Sequence, residues 1–225
     1  MRRFLLIVIT GIVVALLTGC INTPPPPTLI YQQVNLGQQR IALTKCYRCK
    51  HYGLCDGDVI IKPQIIVLHA TATHTWHEAY KQFKQAKIKH EKVTNNDDYS
   101  QLNNSTQFLV ARNGTVYQLM PSNWMSRHVT GLNYLAIGIS NVGGIGGKQD
   151  LTVAQINSDV YLINMLTKQY PSIKYLIGHY ESPCFRDSPL WKEYTQEHIT
   201  SNVDPGPIFM RAVRQHVADL DLKGC

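Results

Sequence analysis

The sequence predicts a single α/β domain, a central mixed β-sheet flanked by helices. Three observations carry this. From residue 64 onward, short β-branched runs alternate with helix-permissive stretches, the interleaving that lays helices over the faces of a partly parallel sheet. One pair of runs is joined through Asn113-Gly114, a strong hairpin signal, so the sheet also contains an antiparallel pair. Finally, 225 residues with 44% hydrophobic and 16% charged side chains are enough for a full core. That composition excludes a disordered chain, a collagen-like repeat and a pure coiled coil.

The elements follow in order. Gln64 to His69 (QIIVLH) is a strand run rich in branched apolar residues, as expected for a strand buried on both faces. Residues 75–89 permit a helix, with Trp76, Tyr80, Phe83 and Ile88 as an irregular apolar stripe. Phe108 to Ala111 and Val116 to Met120 are the hairpin strands around Arg112-Asn113-Gly114-Thr115. Ala136 to Val142 is a further strand, stopped by Gly143-Gly144. Thr152 with Gln155 three residues on makes a capping box for a helix reaching about Tyr170. Ile173 to Ile177 leads into Gly178-His179, and Pro207 opens a last helix with Met210, Val213 and Val217 as its apolar positions.

The chain begins MRRFLLIVITGIVVALLTGC. Arg2 and Arg3 form a basic n-region, and Phe4 to Leu17 an apolar run of 14 residues, short of the roughly 20 needed to span a bilayer. Leu16-Leu17-Thr18-Gly19-Cys20 resembles the lipobox of bacterial lipoproteins, which implies removal of residues 1–19 and a lipid anchor on Cys20. An uncleaved membrane helix is the competing reading. Ile21 in place of an acidic residue after the cysteine implies a bacterial outer-membrane lipoprotein facing the periplasm. Without its leader the chain would carry +5 rather than +7. Residues 20–35, with Pro24 to Pro27, are expected to be an extended linker, residues 36–63 a cysteine-containing extension, and 64–225 the domain.

Apart from Cys20, five cysteines remain, at 46, 49, 55, 184 and 225. In an exported chain disulfides are favoured over a zinc knuckle at Cys46-Tyr47-Arg48-Cys49. An odd number leaves at least one free or paired between chains, and the connectivity is open. The densest basic run, Lys81, Lys84, Lys87, Lys89 and Lys92, reads as a solvated helix face, so no nucleic-acid partner is expected.

Two histidines stand at the ends of apolar strands, His69 after IIVL and His179 after YLIG, and Asp204 lies just before the last helix. Two imidazoles and a carboxylate leave a fourth zinc position open for water, the pattern of a catalytic site. The plainer alternative is two satisfied core histidines and an aspartate at a helix start.

The stretch 64–217 resembles the zinc-dependent N-acetylmuramoyl-L-alanine amidases, a family that includes the peptidoglycan recognition proteins. IIVLHATAT, STQFLVARNGTVYQLMP, RHVTGLNYLAIGISNVGG, YLIGH and VDPGP occur in the family's order. The resemblance implies the same fold, Zn2+ held by His69, His179 and Asp204, and hydrolysis of the amide between N-acetylmuramic acid and L-alanine in peptidoglycan or muropeptides. It also places His128 at the family's Trp-His-Ala-Gly histidine, lining the substrate cleft.

The chain departs from the pattern where the family carries its catalytic partners. Ser140 stands where many bacterial members have the glutamate base, Thr106 where another branch has tyrosine, and Asn202 where a lysine is expected. Thr106, Ser140, Asn141 and His128 are therefore expected at the substrate. Asn202 would donate to an oxyanion without the charge that strengthens such a bond. Glu181 is a candidate base, with a solvated loop carboxylate as the plain alternative; Tyr99 and His128 are further candidates. The loop 182–201, rich in aromatic and charged residues, is expected to rim the cleft. Loss of the usual partners keeps open a second reading, a non-catalytic muropeptide-binding lipoprotein of the same fold.

Overall fold

The computed structural model describes residues 25–88, 101–195 and 203–225. The leader with Cys20, Tyr99, Lys89, Lys92 and Asn202 lie outside the described residues.

Six strands form one sheet in the order β1-β4-β3-β5-β2-β6: β1 Leu29–Tyr31, β2 Ile65–Ala70, β3 Phe108–Val110, β4 Val116–Gln118, β5 Ala136–Asn141 and β6 Tyr175–Gly178. Among the described strands only the β3–β4 hairpin pairs antiparallel, so the sheet is mixed as the sequence predicts. Among the described residues four α-helices accompany it: α1 Gln38–Tyr52, α2 Trp76–Lys84, α3 Val153–Gln169 and α4 Pro207–His216. The capping box of α3 forms as expected, Thr152 accepting from Gln155 N–H and the Gln155 side chain reaching back.

Strand alternation divides the core between the two faces of the sheet. Ile66 and Leu68 of β2, with Ile137 and Ile139 of β5, pack under α3 and α4 against Leu162, Ile163, Phe209 and Met210. Ile65 and Val67 point the other way, to Val129, Leu132, Leu135 and Phe185. That second face is covered by α2 and the connecting segments, and it carries the site.

The N-terminal region is more structured than a linker and an appendage. Leu29–Tyr31 pairs with Val116–Gln118 as an edge strand, so the expected linker ends before residue 29. Residues 38–52 form a helix whose buried positions are Arg40, Thr44, Tyr47, His51 and Tyr52. It closes at Gly53, whose φ of +65° suits a left-handed cap. Arg40 donates to Phe83 O at 2.9 Å and Gln85 O at 2.6 Å, taking the free carbonyls at the end of α2. Helix α2 accordingly stops at Lys84 rather than running to 89. Burial pulls the Arg40 guanidinium pKa down to about 10.

Two disulfides form, Cys49–Cys55 and Cys184–Cys225, leaving Cys46 free. No zinc knuckle is made at Cys46 and Cys49, because Cys49 is spent on its bond to Cys55.

Candidate metal centre

His69 lies on β2 in register with Ser140 of β5, on the face shared by Ile65 and Val67. His179 is the first residue past β6, whose Gly178 pairs with Leu68. Asp204 arrives from the turn before α4, through a cis Asp204–Pro205 peptide. Neighbouring parallel strands thus deliver both histidines to the same end of the sheet. The aspartate is fastened there by its own contacts: Ala70 N–H donates to Asp204 Oδ1, and Tyr180 N–H to Asp204 O at 3.0 Å.

Asp204 Oδ2 lies 3.4 Å from His69 Nδ1 and 3.1 Å from His179 Nδ1. One donor atom from each of the three residues falls within 4.8 Å of the others. Side-chain exposure is 7% at His69, 18% at Asp204 and 20% at His179, so the trio is buried behind and open in front. Such a set can hold a divalent metal while leaving a position for another ligand. Burial disfavours ionisation of Asp204, but its close contacts with the His179 and His69 rings hold its carboxyl below the usual carboxylate range. Burial also lowers the His69 pKa, partly offset by Asp204. A neutral imidazole and an ionised carboxylate are the states that bind metal.

Behind the trio stands His128. Its Nδ1 lies 3.0 Å from His69 Nε2 and its Nε2 3.4 Å from Ala136 O. Burial first, then the charge of His69, holds its pKa well below the usual value. Both ring nitrogens are engaged inside the protein, which corrects the expectation that His128 offers one to substrate. Its backbone is held by Asn133, fully buried, whose Oδ1 accepts His128 N–H at 2.7 Å and Val129 N–H at 2.8 Å. Asn133 Nδ2 donates to Tyr52 OH at 2.7 Å, and Tyr52 belongs to α1.

Three more expectations are corrected. Asn141 points to the opposite face of the sheet and donates to Asp159 of α3 at 2.8 Å, so it cannot meet a ligand at the metal centre. Thr106 is buried at 1% exposure and donates to Phe108 O at 3.3 Å; it packs against the site rather than lining it. Glu181 is not free to act as a base. Its oxygens accept from Arg214 Nη1 at 2.9 Å, Arg214 Nη2 at 2.5 Å and Gly178 N–H at 2.8 Å, which clamps the segment after His179 to α4. Ser140, largely buried, stays on the ligand face beside His69.

Sequence reasoning missed Asn133, Tyr52 and Gly138. A Cβ at Gly138 would lie 2.8 Å from Thr106 Oγ1 and 3.0 Å from His128 Cγ. A glycine inside a strand signals close approach by another group, so this one had a signal. Asn133 had none.

Part of the loop 182–201 is described, through residue 195. In the described part of the loop 182–201, Leu190 O accepts from Tyr134 OH at 2.7 Å, Lys192 N–H donates to Gly131 O at 3.0 Å, and Tyr194 N–H to His51 O at 2.9 Å. His51 Nδ1 meets Glu193 Oε1 at 2.9 Å. The described part of the loop is therefore stapled both to α1 and to the 131–134 segment next to His128.

No curated protein matches the chain. Among solved structures, the N-acetylmuramoyl-L-alanine amidase LysC from Clostridium intestinale aligns at TM-score 0.51 and 18% identity, over 89% of this chain and 100% of that one. Bumblebee PGRP-SA aligns at 0.51 and 18%, over 84% and 94%. Likeness at that identity speaks for the fold alone. Residues 61–207 match the family model described as N-acetylmuramoyl-L-alanine amidase. That span is well over half the chain and holds His69, His179 and Asp204 together, and the chain belongs to the N-acetylmuramoyl-L-alanine amidase family.

Proposed function

We propose that the protein is a zinc-dependent amidase that cuts the bond between N-acetylmuramic acid and L-alanine in peptidoglycan or muropeptides, tethered to the outer membrane on its periplasmic side by lipid on Cys20. The observation that carries this reading is the convergence of His69, His179 and Asp204 at one open end of the sheet. Two imidazole nitrogens and one carboxylate oxygen suit zinc. When bound there, zinc supplies a polarised carbonyl and a water acidic enough to ionise near neutral pH. The protein's share is to hold that ion on three fixed groups and to keep His128 neutral behind His69.

A specific observation favours the second reading, a muropeptide-binding protein without activity. The one carboxylate proposed as a base, Glu181, is committed to Arg214 and Gly178. Among the described residues, Asp204 is the one carboxylate grouped with the two histidines.

The deciding experiment incubates the full-length chain, loaded with one zinc, with defined muropeptides and follows free stem peptide by mass spectrometry. Release that disappears in His69→Ala supports the amidase. Binding of muropeptide without release, equal in His69→Ala, sinks it in favour of the binding protein. Fatty-acid labelling lost in Cys20→Ala tests the anchor.

A further inference from the structure

A buried hydrogen-bond chain runs from Tyr52 of α1, outside the matched family span, to Nε2 of His69, the ring edge turned away from Asp204. We propose that Tyr52 and Asn133 are positioning residues of the metal centre: they fix His128 so that its Nδ1 accepts a hydrogen bond from His69 Nε2–H and leaves His69 Nδ1 bare toward the metal. The inference rests on the metal reading above and extends it to residues of the N-terminal helix.

The proton positions follow from one end of the chain. Ala136 O can only accept, so His128 Nε2, 3.4 Å away, carries a hydrogen. In the neutral ring Nδ1 then holds a lone pair. That lone pair faces His69 Nε2 at 3.0 Å, so His69 carries its hydrogen on Nε2. His69 Nδ1, the nitrogen on the Asp204 side, is left as the ligand atom. A histidine ligand is commonly held in this way through its second nitrogen, though here the acceptor is another imidazole rather than a carboxylate.

An imidazole is a poor anchor unless its own backbone is fixed, and here it is. Asn133 Oδ1 accepts two successive N–H groups, of His128 and Val129. Its amide is aimed by Tyr52 OH at 2.7 Å. Tyr52 is itself 1% exposed and packs with Tyr47, Ile61, Leu102 and Met125. Tyr52, on a helix outside the matched span, thus completes the support of a residue within it.

The test measures the apparent zinc dissociation constant of the full-length chain by competition with a chromophoric chelator. His128→Leu should weaken zinc about 10–100-fold, and His128→Gln, whose amide oxygen can still accept from His69, should recover most of the loss. Tyr52→Phe removes a single oxygen and should weaken zinc roughly two- to tenfold. In the zinc-loaded native chain, nitrogen NMR should show His69 protonated at Nε2. If His128→Leu does not fold, Tyr52→Phe and the NMR signature decide. Native-like zinc affinity in Tyr52→Phe, or His69 bound through Nε2, overturns the inference while leaving the metal centre intact. A native chain that takes up no zinc overturns both.

Discussion

Asn141 Nδ2 donates to Asp159 Oδ2 at 2.8 Å between β5 and α3, both residues at 0% exposure. The other two oxygens of the pair, Asn141 Oδ1 and Asp159 Oδ1, have no further partner among the described residues. Two buried acceptors are left unmatched if Asp159 is ionised. They are matched if the acid keeps its proton and donates it to the amide.

Burial pushes the Asp159 carboxyl well above its ordinary pKa. A carboxyl raised in this way favours the native state in full below its unfolded pKa of about 3.9. That contribution is lost as pH rises through the folded pKa. Asp159→Asn reproduces the protonated acid at every pH. Thermal melts across pH 4–8 should show the native chain losing ground to the variant as pH rises. Parallel curves would mean Asp159 is not proton-linked.

Glu181→Gln separates a structural carboxylate from a catalytic one. A general base contributes typically 10²–10⁴-fold, so its removal would all but abolish turnover. Clamped to Arg214, Glu181 should instead cost stability, about 1–3 kcal/mol for a weakened charged hydrogen bond. Stem-peptide release should stay within about tenfold of native, well short of a lost base. A loss of 10² or more at unchanged zinc content would return Glu181 to the reacting groups.

The same contrasts show what the sequence carried. β2, the Asn113-Gly114 hairpin and the Thr152–Gln155 box are local patterns, and each formed as read. Helix α1 escaped because its inward face is Arg40, Thr44, Tyr47 and His51; a buried face that polar gives no apolar periodicity. The two histidines could be found because strand ends mark them. The roles of Asn133 and Glu181 could not, since each is set by a partner, Tyr52 or Arg214, that is 81 or 33 residues away. Asn141 was misplaced by one step of strand alternation: its neighbour Ser140 faces the ligands and it does not.

Gly138→Ala tests how tightly the site is packed. The new methyl would meet Thr106 Oγ1 at 2.8 Å and His128 Cγ at 3.0 Å, inside normal contact for both. Overpacking of this kind costs roughly 1–3 kcal/mol, and relief shifts Thr106 and the His128 ring that meets His69. Denaturant unfolding should show the stability loss, and chelator competition a weaker zinc site. Unchanged values for both would mean the His128–Gly138 contact is loose.

The Cys184–Cys225 bond ties the segment just after His179 to the chain end, across a separation of 41 residues. Loop-closure entropy for that separation amounts to about 4 kcal/mol. The Cys49–Cys55 bond spans only 6 residues and is worth about 2 kcal/mol on the same basis. Cys184→Ala with Cys225→Ala should therefore lower unfolding stability more than Cys49→Ala with Cys55→Ala, measured in the same denaturant. The reverse order would show that strain or residual structure, rather than chain entropy, governs these bonds.

Metal removal gives the last prediction. Without a metal, the ionised Asp204 still accepts from Ala70 N–H and meets His179 Nδ1 at 3.1 Å, so the fold should survive chelation. An ion that binds only the native state stabilises it by mass action, about 2.7 kcal/mol at a free concentration 100 times Kd. For a chain of this size that corresponds to roughly 5–10 °C in Tm. Zinc should therefore raise the melting temperature of the chelator-treated protein, more so with increasing concentration. In Asp204→Ala, one of three ligands is gone and the Ala70 N–H loses its acceptor, so the variant should melt lower and gain little from zinc. If zinc raises both melting temperatures equally, the ion is binding elsewhere, and the trio is not its site.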